Sequence, residues 1–151
     1  MSQGSEPRRI IPALGGIYER LGSCMEVMLR VVAGAMLVPH GCQKLFGMFG
    51  GGGLSGTAVF MDKVGYSPGM LWAVVVGCTE LFGGALLAIG LLTRPVAAAI
   101  TIELICAIRV TIRRGWFESN ELAVLWLAIV VFFLIRCGGR CSADRILGRE
   151  F

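Results

Sequence analysis

Between Met70 and Leu92 the chain runs apolar with one charged side chain, Glu80, near its centre. A helix of that length spans the roughly 30 Å hydrocarbon core of a bilayer, and a carboxylate at that depth needs a partner or a function. Three further apolar runs follow the same pattern: Val27 to Phe46, Pro95 to Thr111 and Leu122 to Ile135. His40 and Lys44 interrupt the first, Glu103 and Arg109 the second of these, and Glu121 stands at the start of the last. A hydrophobic fraction of 56% and a mean hydropathy of +0.76 exceed what a soluble domain carries, so the bilayer is the expected solvent. The sequence predicts an all-α chain, a four-helix transmembrane bundle with an N-terminal amphipathic interfacial helix and a Gly-rich outer loop.

Residues 1–26 read as the interfacial segment, because Ile10, Leu14, Ile17, Leu21, Met25 and Met28 recur on one helical face, although Gly15 and Gly16 weaken it. Glu19 and Arg20 interrupt the stretch and no small-x-small cleavage site follows, which argues against a secretion signal. Residues 27–137 form the four-span domain and 138–151 a basic tail. With both termini on one face, that face holds Arg8, Arg9, Arg20, Arg30, Arg94, Arg136, Arg140, Arg145 and Arg149, against Lys44, Lys63, Arg109, Arg113 and Arg114. The excess places both termini in the cytoplasm of a multi-pass protein of the inner membrane. The net charge of +4 is then explained by topology and anionic lipid and is no argument for nucleic acid.

The connection Gly47 to Gly69 contains four consecutive glycines, Gly50 to Gly53, and then Leu54 to Val64, which predicts a short surface helix with Ser55 as its N-cap. Tyr66, Trp72 and Trp116 suit an aromatic belt at the outer boundary. Thr93, Arg94 and Pro95 leave room only for a tight turn, so the spans they join are antiparallel neighbours. Gly69, Ala73, Gly77, Gly84 and Ala88 recur at small-xxx-small spacing, which lets helices approach closely. The run Gly41 to Gly47 is echoed by Gly77 to Gly83, placing Lys44 and Glu80 at equivalent positions of two antiparallel helices.

The charges His40, Lys44, Glu80, Glu103, Arg109 and Glu121 all fall in the outer half of the bilayer, and their near balance of sign is what a buried polar cluster requires. They are the candidates for a quinone or proton site. Pro39 predicts a kink beside His40. Lys44 with Glu80 is equally consistent with a structural clamp, and Glu121 with a helix-dipole partner. Arg30 lies near the cytoplasmic end of its span, where it can snorkel. Of six cysteines, Cys24, Cys42, Cys78 and Cys106 read as small apolar fillers; Cys137 and Cys141 are too few for structural zinc and lack Cys-x-x-Cys spacing, so no metal site is expected.

The order Leu29-Arg30, His40-Gly41-x-x-Lys44-Leu45-Phe46-Gly47, a Gly-rich loop, Glu80-x-x-Gly83-Gly84, Gly90-Leu91-Leu92-Thr93-Arg94 and a last span beginning at Glu121 resembles the DoxX family of small bacterial membrane proteins, over about Leu29 to Leu147. The resemblance implies a four-helix bundle in a bacterial inner membrane. It carries over Arg30, His40, Lys44, Glu80 and Arg94 as pattern positions, with Arg30 and Arg94 structural or topology-setting. Relatives form the small membrane subunits of thiosulfate-quinone oxidoreductase, and others associate with membrane redox partners. The expectation is therefore an accessory membrane subunit of a quinone-linked oxidoreductase complex, with quinone as its cofactor and a larger complex or homo-oligomer as its setting. No haem, flavin or iron-sulfur signature is present, which assigns the electron chemistry to a partner or a bound quinone. The alternatives are a structural or assembly subunit without its own site, and a small oligomeric transporter.

Overall fold

The structure, a computed structural model, describes residues 15–112, 120–139 and 141–148, and every regular element among them is helical. In order these are α1 (Gly15–Phe46), a 3-10 turn (Met48–Gly50), α2 (Gly53–Lys63), α3 (Gly69–Cys78), a π-helical turn (Thr79–Gly83), α4 (Gly84–Ile89), α5 (Thr93–Thr111), α6 (Glu121–Arg136) and the single turn α7 (Ala143–Ile146). The segment from α3 through α4 is one rod, so four rods make the body of the molecule. Leu37 of α1, Leu87 of α4, Ala97 and Ile100 of α5, and Val130 and Phe133 of α6 meet in one buried core. Leu21–Phe46 and Gly69–Ile89 are long and apolar enough to cross a membrane by length and composition. α5 carries Arg94, Glu103 and Arg109, and the 16 residues of α6 rise only about 24 Å.

Several expected details change. The segment read as a separate interfacial helix continues directly into α1 from Gly15 onward, and α1 also runs on through Pro39. α2 forms where a short helix was expected, but Gly52 occupies the cap position without a side-chain bond, and Ser55 lies inside the first turn. Arg8, Arg9, Ile10, Leu14, Arg113, Arg114, Trp116, Arg140 and Arg149 lie outside the described residues.

The small-residue stripe serves two neighbours. A β-carbon at Gly69 would overlap the Ala58 carbonyl oxygen of α2, whereas one at Gly84 would overlap Gly34 and Leu37 of α1. Conversely, one at Gly34 would run into the Gly84 carbonyl and the Ala88 backbone. Backbone cannot yield as a flexible side chain can. Gly34→Leu is therefore expected to cost at least about 3 kcal/mol, the upper range for overpacking, seen as loss of the monodisperse folded species after detergent extraction; an unchanged elution profile and unfolding temperature would show that the α1–α4 crossing tolerates separation.

The echoed heptads turn out to pack on each other. A β-carbon at Gly41 would strike Leu81, and one at Gly77, its counterpart, would strike Leu45, the counterpart of Leu81. The two helices thus cross with local two-fold character, and the counterparts Lys44 and Glu80 meet at the crossing.

The opposite end of the bundle is closed by Arg30 and Asp144. The Arg30 guanidinium donates to the carbonyls of Gly138 and Cys141, the latter at 2.9 Å, and its Nε to Ala88 at 3.4 Å. With 2% exposure Arg30 is embedded in protein, which corrects the expectation that it snorkels: one carbonyl near the end of α4 and two in the segment after α6 provide what headgroups would otherwise supply. Gly90, at φ 72°, leaves the space that the guanidinium fills. Asp144, brought back by the chain after α6, accepts from Leu92 N–H at 2.7 Å, Thr93 N–H at 2.9 Å and the Thr93 hydroxyl at 2.9 Å, and so caps α5.

Burial alone would push the Asp144 carboxyl up, but the donors of Thr93 and Leu92, with Arg30 nearby, outweigh it and hold the group below the ordinary carboxylate range. A carboxyl whose folded value is depressed contributes stability that is complete above its unfolded value, about 3.9, and is lost as pH falls through the folded one. The unfolding temperature is thus expected to drop more steeply below about pH 4 in the parent than in Asp144→Asn; parallel curves would remove Asp144 from the acid response.

Candidate functional site

Glu80 sits in the π-helical turn, where the chain bonds one residue further along than in an α-helix. Such a turn shifts the register of the downstream helix and is often found at functional sites. Here Glu80 is 8% exposed and its Oε1 pairs with the Lys44 ammonium of α1. Glu103, from the facing side of α5, lies close enough to interact with both Glu80 and Lys44. Glu80 Oε2 and Glu103 Oε2 are buried. The two carboxyl groups lie within hydrogen-bonding reach of each other and beside one ammonium.

These three side chains line a cavity of about 390 Å³. α3, the π turn and α5 line it through Trp72, Val75, Val76, Thr79, Ala99 and Ile102 among others, and Phe60 and Met61 of α2 with Val64 and Tyr66 after it complete the wall. Tyr66 and Trp72 stand edge to face at 5.7 Å. Most of the wall is apolar and the polar groups are gathered in one region, a division typical of sites for small organic ligands. The volume is ring-sized and fits a quinone-type headgroup, with Lys44 as a donor that would hold one of its oxygens. Among the described residues no cluster of three or more metal-ligating side chains occurs.

The family model that matches this chain, over residues 26–114, is DoxX. The chain belongs to the DoxX family. A protein of Bacillus subtilis (strain 168) named "Putative oxidoreductase CatD" is 36% identical over 117 residues, covering 78% of this chain and 81% of its own length. An uncharacterized protein of Haemophilus influenzae is 28% identical over 127 residues, covering 77% and 85%. No solved structure matches.

Within this DoxX protein the six charges expected to cluster divide. Lys44, Glu80 and Glu103 come together, whereas His40, one turn before Lys44, is exposed and contacts Gln43 at 3.2 Å outside the cavity. Arg109 is exposed and within electrostatic range of Tyr66; Glu121 is exposed at the start of α6. Arg94 is exposed and reaches the Ile135 carbonyl at 3.5 Å. Four cavity residues were missed: Tyr66 and Trp72, read as a boundary belt, Cys106, read as filler, and Thr79. The return of α2 onto α3 brings Tyr66 to the cavity, and it leaves no periodic signal in the sequence.

Proposed function

We propose that this DoxX membrane protein is the small integral subunit of a quinone-linked redox complex, and that the cavity headed by Lys44, Glu80 and Glu103 receives the quinone headgroup and handles its protons. The carrying observation is the gathering of one ammonium and two carboxyls, those of Lys44, Glu80 and Glu103, on the wall of an otherwise apolar, ring-sized cavity. The Bacillus relative is named a putative oxidoreductase, which agrees with a redox role. In this reading all four rods cross the bacterial inner membrane with both termini cytoplasmic, and α2 lies at the outer surface over the cavity. The exposed apolar residues on α1, α3 and α6, among them Met36, Val74 and Leu125, then face lipid or partner subunits.

The test is mass spectrometry of the protein extracted in mild detergent from its own membrane. Stoichiometric redox subunits together with bound quinone are the expected result; a homo-oligomer holding phospholipid alone would overturn the proposal in favour of an assembly or transport role.

A further inference from the structure

The cavity is walled mainly by α3 and α5, yet each of these helices packs chiefly elsewhere: α5 on the π turn, α4 and α6, and α3 on the π turn, α1 and α2. Several residues that line the cavity from these two helices are also open to the outside. Ile102 is 64% exposed and Val75 43%, and Trp72, Ala99 and Ala107 are exposed with them. Together they mark a mouth between α3 and α5.

The rim of that mouth is apolar, and so is the surface around it. Leu71, one turn before Val75, and Ile105, one turn after Ile102, are each more than half exposed. Lys44, Glu80 and Glu103 are less open, Glu80 being buried. Polarity therefore rises from the mouth inward, as suits an opening onto hydrocarbon and not one onto water. The volume points the same way. About 390 Å³ is near the lower end for small-ligand pockets and holds a ring with its substituents, but not a long hydrocarbon chain as well. The chain of such a ligand has to leave through the mouth.

We propose that the gap between α3 and α5 is a lateral portal, through which an amphiphile with a ring-sized polar head and a hydrocarbon chain enters from within the bilayer. The head reaches the Lys44 region of the cavity while the chain stays between Val75 and Ile102. The inference rests on the membrane-crossing and quinone readings above and adds the route of entry and the class of ligand that this route admits.

Cys106, on the cavity wall, is a native reporter of entry. The full chain in phosphatidylcholine nanodiscs is treated with N-phenylmaleimide or with its sulfonated, bilayer-excluded analogue, and alkylation of each cysteine is followed by peptide mass spectrometry. Cys24 and Cys141, exposed and outside the cavity, give the reference rate for each reagent. Relative to them, Cys106 is expected to react at least about tenfold faster with N-phenylmaleimide than with the sulfonate, whose charge is costly to take out of water. Ile102→Trp and Val75→Trp, both at exposed positions, put an indole in the mouth and should abolish most labelling of Cys106 while Cys24 and Cys141 keep their parental rates. Equal relative labelling by the two reagents, no labelling of Cys106 by N-phenylmaleimide, or parental labelling in both tryptophan variants would each overturn the portal. A fully substituted benzoquinone carrying one isoprene unit should protect Cys106 in the parent. Entry through the mouth without any protection by that quinone would overturn the quinone reading and leave the portal in place.

Discussion

Arg30→Met is expected to cost about 3–5 kcal/mol of stability, the range seen when one member of a buried charged network is removed. Methionine fills much of the volume, so the loss isolates the hydrogen bonds. Three carbonyls, on Ala88, Gly138 and Cys141, would be left facing an apolar side chain, and the negative charge of Asp144 would lose its nearby cation. Arg30→Lys should recover only part, because one compact ammonium cannot reach three carbonyls set around a planar fork. Thermal unfolding in detergent together with the yield of folded protein reads both effects. If Lys were as good as Arg, the residue would be serving lipid headgroups or topology, as its place near a helix end first suggests.

The base of the bundle shows where sequence reasoning stops. Apolar runs, glycine spacing and the presence of a tight connection before α5 were legible because each is a local pattern with a local physical cause, although the connection is Gly90–Leu92 and Thr93–Pro95 already belongs to α5. The echo between Gly41–Gly47 and Gly77–Gly83 gave the Lys44–Glu80 meeting, since equivalent residues of crossing helices face each other when the glycines allow contact. Asp144 as the cap of α5 was not legible: it comes from 51 residues downstream, past all of α6, and nothing in its own surroundings marks it. Arg30, expected near the end of its span, lies midway along α1 and was given the wrong surroundings, because residues after α6 fold back over it. The π turn at Thr79–Gly83 was hidden for a different reason, as an apolar run gives the same hydropathy whether it bonds at four residues or five.

Breaking the pair at the cavity should be strongly asymmetric. Lys44→Met leaves Glu80 and Glu103 buried beside each other without a cation, and a loss of about 3–5 kcal/mol is expected. Glu80→Gln leaves an ammonium whose side chain is 30% exposed, against 11% for Glu80, so Lys44 can turn toward water and the loss should be nearer 1–2 kcal/mol, about that of an ordinary charged hydrogen bond. Combining the two removes one charge of each sign, and the double variant should be more stable than Lys44→Met alone, by an amount that measures the coupling. Such rescue would follow from a structural clamp as well as from a ligand site, so the informative readout is what the rescued protein binds. With Lys44 and Glu80 both neutral, the cavity keeps its volume and apolar walls but loses its ammonium and one of its two carboxyls. A refolded double variant that has lost quinone and quinol binding would tie the pair to the ligand. If it bound either form as the parent does, the Lys44–Glu80 pair would be confined to helix packing, and any site in this DoxX protein would have to be rebuilt around Glu103.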